Sequence, residues 1–261
     1  MPTAVLTIST AGAIAHVRLN RPDVRNAFNA ELIAELHRTF GQIDGDPAVR
    51  AVVLSGEGKT FCGGADINWM RASLDLSRQE NVADAQRMSD MFRAIDRCSK
   101  PVIARVHGAA LGGGAGLAAV CDIVLASAET LFGFTETKLG ILPAVISPFV
   151  LAKIGQSHAR ALFLTGERFD AARAMTIGLV HEVVPLETLD AAVDRVVSEI
   201  LTASPTAIAV AKKAIASVSA ATYDESRDLT SHAIAQQRTS AEGQEGLRAF
   251  LERRKAAWTE Q

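Results

Sequence analysis

The sequence predicts an α/β fold in two parts, a core of β-β-α units over residues 1–195 and a helical region over 196–261. Three observations carry this expectation. Short apolar stretches alternate with amphipathic helical patterns through the first half; glycine-rich loops follow strand patterns at 55–64 and 108–114; and strand signals stop near Ser147, after which helical periodicity takes over.

Element by element, residues 4–9 and 13–19 read as strands joined by the turn Thr10-Ala11-Gly12. Asn29 is placed to cap a helix that carries Leu32, Ile33, Leu36, Phe40 and Ile43 on one face. Residues 50–54 form the next strand, and Ser77-Arg78-Gln79-Glu80 is a capping box opening a helix with Val82, Ala85, Met88, Met91, Phe92 and Ile95 at helical spacing. A strand at 101–106, a short helix at 115–120, a strand at 122–126 and a strand fragment at 131–134 follow. Beyond them lie helices at 157–165, 170–177, 188–201, 205–219, 222–238 and 240–253, with Gly, Pro, Ser, Thr and Asp at the joints.

Composition narrows the function. The 261 residues are 48% hydrophobic, enough for a sizeable core without a disulfide or metal staple. Lys plus Arg is 27 and Asp plus Glu is 29, so 27 − 29 = −2 and no basic field draws the chain to nucleic acid. Cys62, Cys98 and Cys121 are far apart and form no C-x-x-C pair, which argues against a disulfide framework or a zinc ribbon and for a reducing cytoplasm. The start has no cationic segment and reads as strand rather than signal peptide. The longest charge-free runs, 108–121 and 139–152, are 14 residues each, too short to span a bilayer. The six histidines show no i,i+4 pairing, so no metal site is expected.

Two loops carry the chemistry. Gly112-Gly113-Gly114 stands between a strand and a helix, where bare backbone N–H groups meet the positive end of a helix dipole; the alternative is a tight turn for close packing. Gly114 to Ala119 also fits G-x-G-x-x-A, with Glu129 beyond the next strand, but a dinucleotide fold continues in parallel βαβ units and here strands nearly end. Residues 55–60 resemble a P-loop fragment but have Val53 where a Walker loop needs glycine. Phe61-Cys62-Gly63-Gly64-Ala65-Asp66 forms the second small-residue loop, and two such loops are what a two-donor oxyanion hole requires. Cys62 and His107 read as packing and structural residues. Glu136 stands in an uncharged, partly aromatic stretch, where burial would raise its pKa toward that of a general acid or base; the alternative is an exposed carboxylate paired with Lys138.

In combination and order, five motifs resemble the enoyl-CoA hydratase/isomerase (crotonase) superfamily along essentially the whole chain. They are Asn20-Arg21-Pro22 through Asn26-Ala27-Phe28-Asn29, the 61–67 loop, His107 to Gly114 with Cys121-Asp122-Ile123, Phe132 to Glu136, and Leu139 to Pro143. The resemblance implies a crotonase-like spiral of β-β-α units with a C-terminal helical trimerisation region, as a homotrimer or a homohexamer of paired trimers. It implies an acyl-CoA thioester as substrate, no cofactor beyond the CoA of that substrate, and no metal. By motif the enolate oxygen falls to the N–H groups of Ala65 and Gly113, and acid/base work to Glu136. The CoA and substrate positions implied are Val24, Arg25, Ala27, Gly63, Asp66, Ile67, Asn68, Gly112 and Gly116, with Phe250 and Arg253 supplied by a neighbouring subunit.

The chain departs from the hydratase pattern at one place. Family hydratases carry a further glutamate two residues after the glycine triple, where this sequence has Gly116. Hydration uses a proton at Cα and a deprotonated water at Cβ, whereas moving a double bond needs one base, so counting carboxylates favours an isomerase. Residues 64–70 and 138–150, however, are similar to bacterial methylglutaconyl-CoA hydratases of leucine and branched-isoprenoid degradation. The expected activity is therefore hydration of a branched short-chain enoyl-CoA, 3-methylglutaconyl-CoA above others, with an isomerase or a catalytically silent acyl-CoA binder as alternatives.

Overall fold

The computed structural model describes residues 4–259. Strands β1 (Leu6–Ala11) and β2 (Ile14–Leu19) form an antiparallel hairpin, tightened at Gly12, whose φ of +57° lies in the left-handed region. Helix α1 (Ala30–Gly45) starts at Asn29, whose side-chain oxygen accepts the Leu32 N–H at 2.9 Å, and it buries the apolar face foreseen above. Strand β3 (Ala51–Gly56) is followed by α2 (Ile67–Ser73) and α3 (Arg78–Arg97), the latter opened by the reciprocal Ser77–Glu80 capping box.

The chain then spirals. Strand β4 (Val102–Val106) leads to β5 (Ala109–Leu111) and α4 (Gly113–Val120), and β6 (Ile123–Ser127) leads to β7 (Leu131–Gly133). Helix α5 (Ser147–Thr165), strand β8 (Arg168–Asp170), helix α6 (Ala171–Thr176) and strand β9 (Glu182–Val184) close the core. Helices α7 (Leu189–Thr202), α8 (Pro205–Ser219), α9 (Tyr223–Thr239) and α10 (Ala241–Glu252) complete the chain.

Each turn of the spiral gives one segment to a large sheet, ordered β1-β2-β3-β4-β6-β9, and one to a smaller layer containing β5-β7-β8. Isolated parallel bridges Phe28↔Ala65 and Cys62↔Ala110 extend that smaller layer back through the earlier turns. The large sheet is parallel from β2 onward and β3 is covered on both faces, so its residues Ala51 to Ser55 are all buried rather than alternating. Val52 and Leu54 face the main core; Ala51 and Val53 face Leu189, Ala192, Val193 and Val197 of α7.

Three expectations need correction. The glycine loop at 108–114 contains strand β5, strands continue past Ser147 as β8 and β9, and the helix expected at 157–165 begins at Ser147 and bends at Gly155. The missed strands have three residues each, too few to show a period of two; they pair because neighbouring strands already offer a ladder. The division at 195/196 falls within α7, which packs on the large sheet.

Arg50 locks that packing. Its guanidinium, 9% exposed at the start of β3, donates to the carbonyls of Leu201 and Ala203 at the end of α7 and to that of Trp258. Arg50→Ala strands three carbonyls, so we expect a loss of about 2 kcal/mol in urea unfolding; an unchanged midpoint and slope would contradict this role.

Candidate active site

Two loops and one carboxylate converge where the smaller layer meets α4. The Cys62↔Ala110 bridge is made by the Cys62 N–H donating to Ala109 O at 3.1 Å and the Leu111 N–H donating to Cys62 O at 3.0 Å. Counting forward equally on both segments reaches Ala65 and Gly113. Glycine makes the approach possible: a Cβ on Gly114 would lie 2.3 Å from Cys62 O, and one on Gly64, at φ +100°, would lie 2.9 Å from Leu111 O.

Both backbone donors are free. In the parallel Phe28↔Ala65 bridge the Phe28 N–H donates to Gly64 O at 2.7 Å and Asp66 N–H donates to Phe28 O at 2.9 Å, so the peptide groups of Ala65 itself face the other way. Gly113 is the first residue of α4 and has no intrahelical acceptor. Among the described residues neither N–H finds an acceptor. Gly112 holds φ +52° and ψ −122°, a conformation open to glycine, and its own N–H donates to Gly133 O at 2.8 Å.

Glu136 opens a short 3-10 helix, Glu136–Leu139, after β7. Its carboxylate lies over Gly112, whose notional Cβ would be 3.3 Å from Oε1, and Oε2 is buried without a hydrogen-bond partner among the described residues. No ion pair joins Glu136 to Lys138 among the described residues. Burial pushes the carboxyl above its usual range, with only its own backbone N–H acting against that. The site thus sets a carboxyl with a raised pKa beside two unpaired backbone donors, a combination that can take a proton next to a carbonyl while the resulting oxyanion is held.

Gly116, one turn along α4, is buried, and a Cβ there would lie 2.2 Å from Cγ2 of Ile146. The space beside Gly116 is therefore filled by an aliphatic side chain. Ile146 precedes α5 and is 2% exposed; its partner lies 30 positions earlier in the chain, and no sequence signal paired them.

The other positions sort by what their polar groups already do. Arg25, in the left-handed region at φ 57°, accepts the Gly63 N–H at 2.8 Å, so Val24, Arg25 and Gly63 form one exposed to half-buried strip leading to Ala65. Ala27 is buried and its carbonyl accepts from Arg21. Asp66 caps α2 through the Asn68 and Trp69 N–H groups and pairs with Arg21 at 2.8 Å. Burial pushes the Asp66 carboxyl up, but the Arg21 guanidinium and those two amides together hold it below the usual range. Asp66 therefore fixes the loop from within, while Ile67 and Asn68 are exposed on α2. Phe250, 81% exposed, and Arg253, which caps α10, lie on the C-terminal helices.

Asn26 and Arg21 are the supports that sequence reasoning left without a role. Asn26 is fully buried at φ 55°; its amide donates to Glu57 O and Thr60 O and its carbonyl accepts from Arg21 N–H. Cys62 is buried with its thiol donating to Asn26 O, and burial pushes its pKa up to about 12, so it packs rather than reacts. Among the described residues no three metal-ligating side chains converge, and no helix is long and apolar enough to cross a membrane.

Comparison with known proteins agrees with this geometry. Residues 9–261 match the family model described as enoyl-CoA hydratase/isomerase. A short-chain-enoyl-CoA hydratase of Clostridium acetobutylicum is 33% identical over 94% of this chain and 93% of its own length. A crotonyl-CoA hydratase of Syntrophomonas wolfei is 34% identical over 93% of each. The crystal structure of an enoyl-CoA hydratase from Shewanella pealeana superposes with a TM-score of 0.94, at 37% identity over 97% of this chain and 96% of that one.

The raised pKa of Glu136 makes a stability prediction. A carboxyl whose folded pKa lies above its unfolded one stabilises fully below the unfolded value and loses that contribution as pH rises through the folded value. Glu136→Gln should therefore raise Tm at pH 8 and leave it unchanged near pH 4; equal effects at both pH values would mean the carboxylate is not held desolvated.

Proposed function

The chain belongs to the enoyl-CoA hydratase/isomerase family, and from that premise we propose that it adds water across the double bond of a branched short-chain enoyl-CoA, 3-methylglutaconyl-CoA. The observation that carries this reading is the half-buried Glu136 carboxylate, its Oε2 buried without a partner among the described residues, beside the free N–H groups of Ala65 and Gly113.

The thioester carbonyl accepts from both N–H groups, drawing electron density from Cβ. Glu136 takes a proton from water as its oxygen bonds to Cβ, and the enolate forms with its oxygen in the donor pair. The same carboxyl then returns that proton to Cα, which collapses the enolate and restores the carboxylate. One carboxylate thus completes the addition, on one face of the double bond. The strip at Val24, Arg25 and Gly63 is suited to the CoA portion. Residues 64–70 and 138–150, which motivate the branched acyl group, supply the Ala65 donor and the Ile146 wall.

The filled space beside Gly116 favours a second reading, an isomerase that shuttles a proton between two carbons of a dienolate. We further propose that the protein works as a trimer or a pair of trimers. Helices α8 and α9 bury no residue, and Ile215, Ile234, Phe250 and Leu251 are exposed, as a second copy would require. In that assembly Phe250 and Arg253 would complete a neighbour's CoA site.

Incubation with 3-methylglutaconyl-CoA in water enriched in heavy oxygen and deuterium separates the readings by mass spectrometry. A hydrated thioester carrying heavy oxygen is expected; deuterium in an unhydrated thioester moves the assignment to isomerisation, and no label rejects both for this substrate. Glu136→Gln should lower kcat far more than tenfold in folded protein. Gly113→Pro deletes a donor at a helix position that tolerates proline, and should cost about 3 kcal/mol, roughly a hundredfold in kcat; full turnover in that variant would show the donor is misassigned.

A further inference from the structure

On the opposite face of the large sheet, at the carboxyl ends of β2, β3 and β4, lies a polar cavity of about 540 Å³ lined by His16, Arg18, Ser55, Arg105, His107 and Asp190, among others. From it a chain of contacts crosses to the donor loop. Asp190, in the first turn of α7, accepts from Arg105 Nε at 2.5 Å; the Arg105 guanidinium lies 3.1 Å from His107 Nδ1; and His107 Nε2 lies 2.9 Å from Gly58 O.

These partners determine the state of the ring. A guanidinium only donates, so Nδ1 must be the bare acceptor; a carbonyl only accepts, so Nε2 must carry the hydrogen. His107 is thus neutral, in the Nε2–H form. A second proton, on Nδ1, would face Arg105 and break the chain. Burial, with the Arg105 charge adding to it, lowers the ring's pKa below the ordinary histidine range against the Gly58 carbonyl and the Asp190 and Glu57 carboxylates. The remaining charged or titratable groups around the cavity are His16 and Arg18 on β2 and Asp194 on α7.

What His107 holds is the start of the loop that delivers Ala65. Beyond Gly58, the Phe61 N–H donates to His107 O at 2.9 Å, and the bridge at Cys62 follows. Gly108, at φ +68°, lets the segments touch: a Cβ there would lie 2.0 Å from Lys59 O. We propose that His107 is a positioning residue for the oxyanion site: its neutral imidazole ties Gly58 to β4 and α7, and so sets the spacing between the Ala65 and Gly113 N–H groups. Through Asp190 and Arg105, helix α7 becomes part of that support.

The inference rests on the thioester reading above, and the test separates the two. Full-length Glu136→Gln protein, which blocks turnover, is mixed with crotonyl-CoA carrying 13C at the thioester carbonyl, and the bound carbonyl stretch is read by infrared difference spectroscopy. Two hydrogen bonds should lower that stretch relative to free crotonyl-CoA. Adding His107→Leu is expected to remove at least half of the downshift while affinity for crotonyl-CoA stays within threefold; adding His107→Gln, whose amide can still donate to Gly58 O, is expected to restore it. An undiminished downshift with His107→Leu overturns the positioning role. If that variant does not fold, Arg105→Met, which leaves Nδ1 without its donor, should give a partial loss, and an unchanged downshift there overturns the relay. An unshifted carbonyl in the Glu136→Gln parent overturns the thioester reading and this inference with it.

Discussion

A single parallel bridge between two otherwise unrelated loops, Cys62 against Ala110, sets the free N–H groups of Ala65 and Gly113 side by side. Each loop alone is a small-residue turn after a strand. Joined in that register, they bring a residue with outward-facing peptide groups, Ala65, alongside the unsatisfied first N–H of α4. The bridge requires backbone atoms to approach closer than any Cβ allows, which is why Gly64, Gly108 and Gly114 stand where they do. Asn26 and Arg21 hold one side of the arrangement from the first turn of the spiral, and β7 holds the other through Gly133 O.

Beside this donor pair burial holds the Glu136 carboxyl above its usual range. Glu136 is half-buried with Oε2 unpartnered among the described residues, which costs stability at neutral pH and raises its affinity for a proton. Ile146 occupies the space beside Gly116, where family hydratases carry a carboxylate. With no carboxylate at position 116, the proposed mechanism assigns both halves of the addition to Glu136.

Legibility in the sequence followed locality. The caps at Asn29 and Ser77 were readable because donor and acceptor are three residues apart, and the face of α1 because its period repeats over several turns; of the face expected on α3, Met91, Phe92 and Ile95 are buried but Val82 and Ala85 are exposed, because the first half of that helix stands off the core. The two loops and Glu136 were readable from residue type and motif order. Strands β5, β8 and β9 were not, since three residues carry no period and their pairing is decided by neighbours distant in sequence. Asn26, whose partners lie 31 and 34 positions away, and Ile146 against Gly116 are likewise contacts that only the folded spiral creates.

The most direct test of the two-loop arrangement is a crystal structure of the Glu136→Gln protein with crotonyl-CoA bound. The account predicts the thioester oxygen about 3 Å from both the Ala65 and Gly113 nitrogens, with residue 136 facing the double bond. A thioester oxygen that contacts neither nitrogen, or a double bond turned away from residue 136, would contradict it.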